Sequence, residues 1–288
     1  MLKARILSAL VLVSLVFIVL FVFPPLLFAS TCALLIVLAV WEWTQFAKIK
    51  QPILRWIITS IAAAFLYLFI YANSDFIASG KILNNLSELL IVSSLLWWLI
   101  ALVLVLTYPK STAFWGNSTI AQLLFAFFTL VPFFLSLLAL RFYQYNSSSY
   151  QGITLLLYVF LLVWAADTGA YFAGRKFGKH KLAETVSPKK TWEGVIGGII
   201  LTVVVAAIFL TITPLYEASN LSFVELVAVS VLTVIVSILG DLTESMFKRH
   251  CGIKDSSQLI PGHGGILDRV DSLTAALPVF SAFFFILT

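Results

Sequence analysis

The sequence predicts an all-α, polytopic integral membrane protein with about nine transmembrane helices. Of its 288 residues, 61% are hydrophobic and only 11% are charged, and the mean hydropathy is +1.05. A typical soluble domain has roughly 25% charged residues. Apolar runs of roughly 16 to 22 residues recur along the chain, and helices of that length span or nearly span a hydrocarbon core of ~30 Å. These observations exclude an ordinary soluble domain.

The nine apolar runs follow one another at short intervals. The first two are separated only by Pro24 and Pro25, so one long bent segment is an alternative there. The runs lie at residues 6–23, 26–41, 54–72, 88–107, 120–140, 153–172, 194–214, 223–240 and 273–288.

The distribution of lysine and arginine predicts the orientation. With nine spans, 16 of the 18 basic residues fall on one side, and only Lys81 and Arg141 fall on the other. Loops rich in these residues stay in the cytoplasm. We therefore expect a multi-pass protein of the plasma (cell inner) membrane, with its N-terminus and active site facing the cytoplasm. The net charge of +5 then reflects topology and anion contact, and no nucleic-acid partner is expected.

Charge also divides the chain into two regions. Residues 1–150 are predicted to be a transmembrane scaffold of about five spans, and residues 151–288 a transmembrane catalytic region with cytoplasmic loops at 173–193 and 241–272. Eighteen of the 31 charged residues lie within 167–193 and 241–271. Because two spans separate these segments, both face the same side and can form one site.

Four aspartates are candidate metal ligands. Asp167 and Asp241 lie near the cytoplasmic ends of the sixth and eighth runs, and Asp268 and Asp271 are three residues apart, on one helical face if the last helix begins near Gly264. An ionisable group at the edge of a span is costly unless it is paired, hydrated or bound to metal. One such acid could simply mark a helix end, but four together predict a site for a hard divalent cation.

Basic residues stand opposite these acids. In "SPKKTWEG", residues 187–194, Ser187 and Pro188 have the pattern of a helix start. Lys189 and Lys190 would then lie at the positive end of the helix, which is unfavourable unless an anion binds there. The segment therefore predicts a phosphate site.

Three further patterns complete the prediction. Asp241, Ser245 and Lys248 would share one face of a continuing helix, with Glu244 and Lys248 as a surface ion pair. "GHGG" at 262–265 predicts a tight loop whose amides can approach phosphates, although glycines also mark ordinary turns. "GAYFAGRK" at 169–176 lacks the Lys and Ser/Thr that a P-loop needs, so it does not predict one.

The acids are suited to bind metal and the bases to bind phosphate. Together they indicate phosphoryl transfer at a membrane surface.

The segment "SMFKRHCGIKDSSQLIPGHGGILDRVD", residues 245–271, resembles the signature of the phosphatidate cytidylyltransferases, or CDP-diacylglycerol synthases. "DTGAYFAGRKFGKHKL" and "SPKKTWEG" also resemble segments of that family, so the resemblance covers roughly residues 160–288. It implies that CTP and phosphatidate give CDP-diacylglycerol and pyrophosphate, in an all-helical membrane protein that forms a homodimer. It also implies a magnesium cofactor, in a two-metal site.

The resemblance assigns roles to residues of this chain. The catalytic residues would be Asp241, Asp268, Asp271, Lys248 and Ser245. The metal ligands would be Asp167, Asp241, Asp268 and Asp271. The substrate-binding residues would be Arg175, Ser187, Lys189, Lys190, Arg249, Lys254, His263, Gly264, Gly265 and Arg269.

Two other functions stay open at this point. A CTP-dependent lipid kinase would use the same nucleotide but transfer its γ-phosphate, and composition does not distinguish it. A secondary transporter would also carry acids and glycines in its spans, but it would place them near the membrane midplane between inverted repeats. The signature favours the cytidylyltransferase.

Overall fold

The computed structural model describes residues 2–79, 85–213, 215–260 and 262–288. Lys81 and Pro261, used above for topology and signature, lie outside the described residues, as do the side chains of Lys3 and Arg5. The helices are α1 (Leu2–Phe21), α2 (Pro25–Phe46), α3 (Pro52–Ala72), α4 (Ser74–Ala78), α5 (Asn85–Leu106), α6 (Thr112–Trp115), α7 (Thr119–Arg141), α8 (Ser149–Phe177), α9 (Trp192–Ile212), α10 (Leu215–Ala218), α11 (Phe223–Cys251) and α12 (Leu267–Leu287). An antiparallel hairpin of β1 (Lys181–Ala183) and β2 (Ser187–Thr191) joins α8 to α9.

The predicted all-α, multi-pass membrane architecture is confirmed. Within the described residues, eight helices are long and apolar enough to cross a bilayer: α2, α3, α5, α7, α8, α9, α11 and α12. The first predicted run falls on α1, of which Leu10–Phe21 is described as an apolar segment shorter than a full span, so the ninth crossing stays a prediction. α1 ends before Pro24 and α2 begins at Pro25, so the first two runs are two helices.

Two helices extend well beyond their predicted spans. α8 and α11 contain 29 residues each, about 44 Å at 1.5 Å per residue, which exceeds the hydrocarbon thickness. α11 continues ten residues past Asp241, so the prediction that Asp241, Ser245 and Lys248 lie on one continuing helix is confirmed. The extra turns of α11 are buried by packing, and the helix ends only at Gly252, whose φ of 69° gives a left-handed C-cap.

One hydrophobic core joins the two predicted regions of the chain. α12 packs against α5 and α7 of the first region and against α8 and α11 of the second. The division near residue 150 stays a prediction. The shared core means that side chains of the first region can reach the loops of the second.

Glycines bring α8 and α9 into backbone contact. A Cβ added at Gly169 would lie 2.5 Å from the Gly197 carbonyl oxygen, and one added at Gly198 would lie 2.8 Å from that of Ala166. Small residues at this spacing allow such close packing in membranes. This contact holds the start of α9 against the half of α8 that is predicted to face the cytoplasm. The hairpin that precedes α9 is held there with it.

Candidate active site

Five carboxylates from three helices form a cluster where α8, α11 and α12 meet. Each member lies within electrostatic range of at least one other. We call this set the carboxylate cluster; its members are Asp167 on α8, Asp241 and Glu244 on α11, and Asp268 and Asp271 on α12. The structure thus brings together all four aspartates that the sequence singled out and adds Glu244.

Lys190 reaches this cluster from strand β2. Its Nζ lies 2.7 Å from Asp241 Oδ2 and 3.5 Å from the carbonyl oxygen of Ile238. Asp167 is also within electrostatic range of Lys190. Both members of the Lys190–Asp241 pair remain partly exposed, with side-chain exposures of 25% and 31%. A substrate phosphate can therefore approach Lys190.

The prediction that Ser187 begins a helix is wrong. Residues 187–191 form strand β2, which pairs with β1 through Ser187 and Ala183, and α9 begins only at Trp192. Thr191 is the N-cap, and its hydroxyl accepts a hydrogen bond from the Gly194 amide. Lys190 is thus placed by strand pairing and not at a helix N-terminus, so repulsion from a helix dipole gives no support for a phosphate there.

Lys248 occupies the buried end of the cluster. Its Nζ lies 2.7 Å from Asp268 Oδ1 and 3.1 Å from Glu244 Oε2. The three side chains are 10%, 6% and 5% exposed, respectively. The predicted Glu244–Lys248 surface pair is therefore wrong, because α12 covers this face of α11. Since two carboxylates already pair with its ammonium, Lys248 serves to hold Asp268 in place and is poorly suited to bind phosphate.

Asp268 already has partners on both of its oxygens. Oδ1 binds Lys248, and Oδ2 accepts from the Ser256 amide at 2.8 Å, the Ser256 hydroxyl at 2.9 Å and the Gly265 amide at 2.8 Å. A metal ion at Asp268 would have to displace these donors. The same contacts correct the expectation for Gly265, whose amide is committed to Asp268 and not available to a phosphate.

Asp241 and Asp271 meet fewer donors than Asp268 and are the more suitable metal ligands. Asp241 has one partner on each oxygen, the Ser245 hydroxyl and the partly exposed Lys190. Asp241 Oδ1 accepts a hydrogen bond from the Ser245 hydroxyl at 3.2 Å, so this largely buried serine orients the carboxylate.

Asp271 Oδ1 accepts from the Ser272 amide at 2.7 Å. Asp271 faces Glu244, and both line a cavity of about 10 Å³. Glu244 Oε1 is buried there without a hydrogen-bond partner among the described residues.

The charge balance of the cluster favours a bound cation. Its contacts join five carboxylates to only two ammonium groups, those of Lys190 and Lys248. Within the described residues, no three carboxylate, imidazole or thiolate groups are close enough to hold an ion by themselves. Mg²⁺ usually takes one or two carboxylates, water and substrate phosphates. The donors present fit that mode of binding.

Several predicted substrate-binding bases are exposed on the surface of the protein. Arg175, Lys189, Lys254 and Arg269 are exposed and form no ion pair among the described residues. Arg175 donates to Tyr171 at 3.0 Å. Their exposure leaves these four cations open to anions in solution.

Arg249, His263 and Gly264 have local structural roles in the described chain. Arg249 donates to the Val186 carbonyl oxygen at 3.2 Å and so ties the hairpin to α11. The His263 amide donates to Ile260, and Gly264 has a φ of +82° that favours glycine in this tight loop.

Two functional features were missed by sequence reasoning. Glu193, in the first turn of α9, accepts hydrogen bonds from the Lys179 and His180 amides and contacts His180 Nδ1 at 2.6 Å. It thereby connects the segment before the hairpin to α9. Glu42, in the first region, is fully buried against the loop before α12. A glutamate within an apolar run is itself a signal, because buried charge needs partners.

A model of the cytidylyltransferase family matches residues 3–287. The chain belongs to the cytidylyltransferase family. It is 51% identical over 285 residues to a phosphatidate cytidylyltransferase of Haemophilus influenzae, covering 99% of both chains. It is 41% identical over 282 residues to one of Pseudomonas aeruginosa, covering 98% of this chain and 96% of the relative.

Another member of the family matches over a shorter length. A phosphatidate cytidylyltransferase of Staphylococcus haemolyticus is 48% identical over 139 residues, which is 48% of this chain and 52% of the relative. Membership of the family therefore rests on nearly the whole chain in some relatives and on about half of it in others.

Proposed function

We propose that this protein transfers the cytidylyl group of CTP to phosphatidate, giving CDP-diacylglycerol and pyrophosphate. The observation that carries the proposal is the near full-length similarity to proteins named phosphatidate cytidylyltransferase. The carboxylate cluster with its partly exposed lysine, and the exposed cations elsewhere on the surface, suit a reaction between two anionic substrates. No observation favours the lipid kinase or the transporter.

In the proposed reaction, a phosphate oxygen of phosphatidate attacks the α-phosphorus of CTP. The bond from that phosphorus to the bridging oxygen breaks, and pyrophosphate leaves. Lys190 exchanges Asp241 for a phosphate of CTP, and exposed cations other than Lys189, such as Arg175 and Arg269, hold the substrate anions. Catalysis then depends on position and charge and needs no covalent intermediate on the protein.

We propose that Asp241 and Asp271 hold magnesium, with Asp167 near it; the two-metal form stays a prediction. When bound, magnesium would neutralise charge developing on the phosphates. Asp268 is assigned to positioning Lys248 and the loop, because it is buried and is bonded by Lys248 and by the Ser256 and Gly265 amides, whereas Asp241 is partly exposed. Ser245 is assigned to orienting Asp241.

Isotopic labelling tests the reaction class. With purified protein in detergent, phosphatidate, magnesium and CTP labelled at the α-phosphorus, the label is expected in the lipid fraction. With γ-labelled CTP, the label is expected in pyrophosphate, because the bond that breaks lies between the α- and β-phosphates. Transfer of γ-label to lipid would instead establish a lipid kinase.

The two lysines of β2 are expected to differ. Lys190→Ala should reduce kcat/KM for CTP by about 10- to 100-fold, because it removes a charge-assisted contact worth roughly 1.5–3 kcal/mol. Lys189→Ala, the matched control on the exposed side of the same strand, should reduce it by less than about threefold. Steady-state kinetics with CTP varied would measure both. Equal losses would contradict the placement of Lys190.

We also propose that the cluster faces the cytoplasm in the cell inner membrane and that the chain forms a homodimer. The 16-to-2 distribution of basic residues supports the orientation. Compartment reporters inserted within 176–186 and fused after Thr288 should report opposite sides, and the same side would contradict nine spans. Native mass spectrometry in detergent would test the dimer.

A further inference from the structure

Glu42 is an acid in the scaffold region that is completely buried. Its Oε1 accepts hydrogen bonds from the Ser257 hydroxyl at 2.6 Å and the Ile266 amide at 2.9 Å. Its Oε2 accepts from the Leu267 amide at 2.8 Å and contacts the Ser256 hydroxyl at 3.0 Å. Every partner lies in the loop 252–266 or at the start of α12, more than 200 residues along the chain.

These contacts cap α12 from another helix. Ile266, at the N-cap position of α12, makes no side-chain capping bond. The first amides of a helix lack partners within it, and its N-terminus carries partial positive charge. Glu42 accepts from two of these amides and places a negative charge at that end. It therefore performs, from α2, the role that a serine or aspartate usually performs locally.

One hydroxyl connects this cap to the carboxylate cluster. The Ser256 hydroxyl lies 3.0 Å from Glu42 Oε2 and 2.9 Å from Asp268 Oδ2, and its single proton can serve only one carboxylate at a time. The Gly265 amide also donates to Asp268. A Cβ on Gly265 would collide with Ser256 and Glu42, so no side chain fits between loop and cap.

We propose that Glu42 is a positioning residue for cytidylyl transfer. It fixes the first turn of α12, and so sets where Asp268 holds Lys248 and where Asp271 faces Asp241. This inference rests on the proposed function, since it assigns Glu42 to the same site. A second contact from α2 supports it: Gln45 Nε2 donates to the Ser256 carbonyl oxygen at 2.9 Å.

Glu42→Gln tests the proposal in full-length protein purified in detergent. Glutamine keeps the size of the side chain. Its NH₂ group replaces one carboxylate oxygen and therefore faces groups that are themselves donors. We expect kcat for α-label transfer to fall about tenfold or more, with KM for CTP within about threefold, because a small displacement of reacting groups costs rate more than binding. Glu88→Gln, an exposed acid on α5, is the matched control and should keep wild-type kinetics.

Hydrogen–deuterium exchange distinguishes positioning from general stability. In Glu42→Gln, amides of 252–268 should exchange faster, while those of the hairpin at 181–191 should not change. Ser256→Ala, a milder variant, should lower kcat about threefold. The double variant should lose little beyond Glu42→Gln alone, because both residues act through one contact.

Three results would overturn the inference: wild-type kcat and exchange in Glu42→Gln, faster exchange throughout the protein, or additive losses in the double variant. If Glu42→Gln does not fold, the test rests on Ser256→Ala. Wild-type kcat and wild-type amide exchange in Ser256→Ala would then be sufficient to overturn the inference. Failure of the proposed function would appear separately, as absence of α-label transfer by the wild-type protein.

Discussion

Replacing Asp241 with asparagine is expected to lower kcat by about 10²- to 10³-fold while leaving the protein folded. Asparagine keeps the shape and the contact with Ser245 but removes the negative charge that holds Lys190 at 2.7 Å. The same charge is the proposed magnesium ligand, and removing one charge-stabilising group from an active site typically costs this much. Transfer of α-label to lipid, with thermal unfolding in detergent, would measure both parts.

The matched control for this variant is Asp75→Asn. Asp75 is an exposed acid at the start of α4, far along the chain from the cluster, and its loss should leave kcat unchanged. Magnesium titration adds a second test, because a lost ligand should raise the concentration needed for half-maximal rate. If Asp241→Asn kept near-normal activity at low magnesium, Asp241 would not be a ligand.

Lys248→Met is expected to lower the free energy of unfolding by about 3–5 kcal/mol. Methionine fills the volume of the aliphatic stem but leaves Glu244 and Asp268 buried without their shared cation. Breaking a buried pair costs more than the pair contributes, because an uncompensated charge stays behind. Unfolding by a denaturing detergent, followed by circular dichroism, would measure the change.

Two further variants make this second prediction specific. Lys254→Met, in an exposed position of the loop, should change stability by less than about 0.5 kcal/mol. Adding Glu244→Gln to Lys248→Met should recover part of the loss, because it removes one unpaired buried charge. Equal free energies of unfolding for Lys248→Met and Lys254→Met would show that the buried ion pairs make no net contribution to stability.

The loop before α12 shows what the sequence could not predict. The signature spacing identifies Asp268 and Asp271 as site residues, and both do reach the cluster. The division of labour between them depends on α2 and α11, because donors from Ser256, Gly265 and Lys248 occupy Asp268. Glu42 lies 224 residues before Ile266, so no local pattern predicts their contact.

The "SPKKTWEG" segment shows a second limit. Ser187 followed by Pro188 is a reasonable helix start by local preference. Pairing with Ala183 and capping by Thr191 instead place the start of α9 four residues later. Lys190 consequently points to Asp241, and Lys189 to solvent. The sequence predicted a helix dipole beside these lysines, and strand pairing instead sets their positions.

The sequence by itself determined the membrane spans and the family. A run of about 20 apolar residues needs no distant partner to be stable in lipid, because a helix satisfies its own backbone hydrogen bonds there. The tertiary structure alone decided how many donors each carboxylate meets, which lysine reaches Asp241 and which acid caps α12. Those properties arise where helices distant in sequence pack together, since burial and pairing are set by the neighbours that each side chain meets.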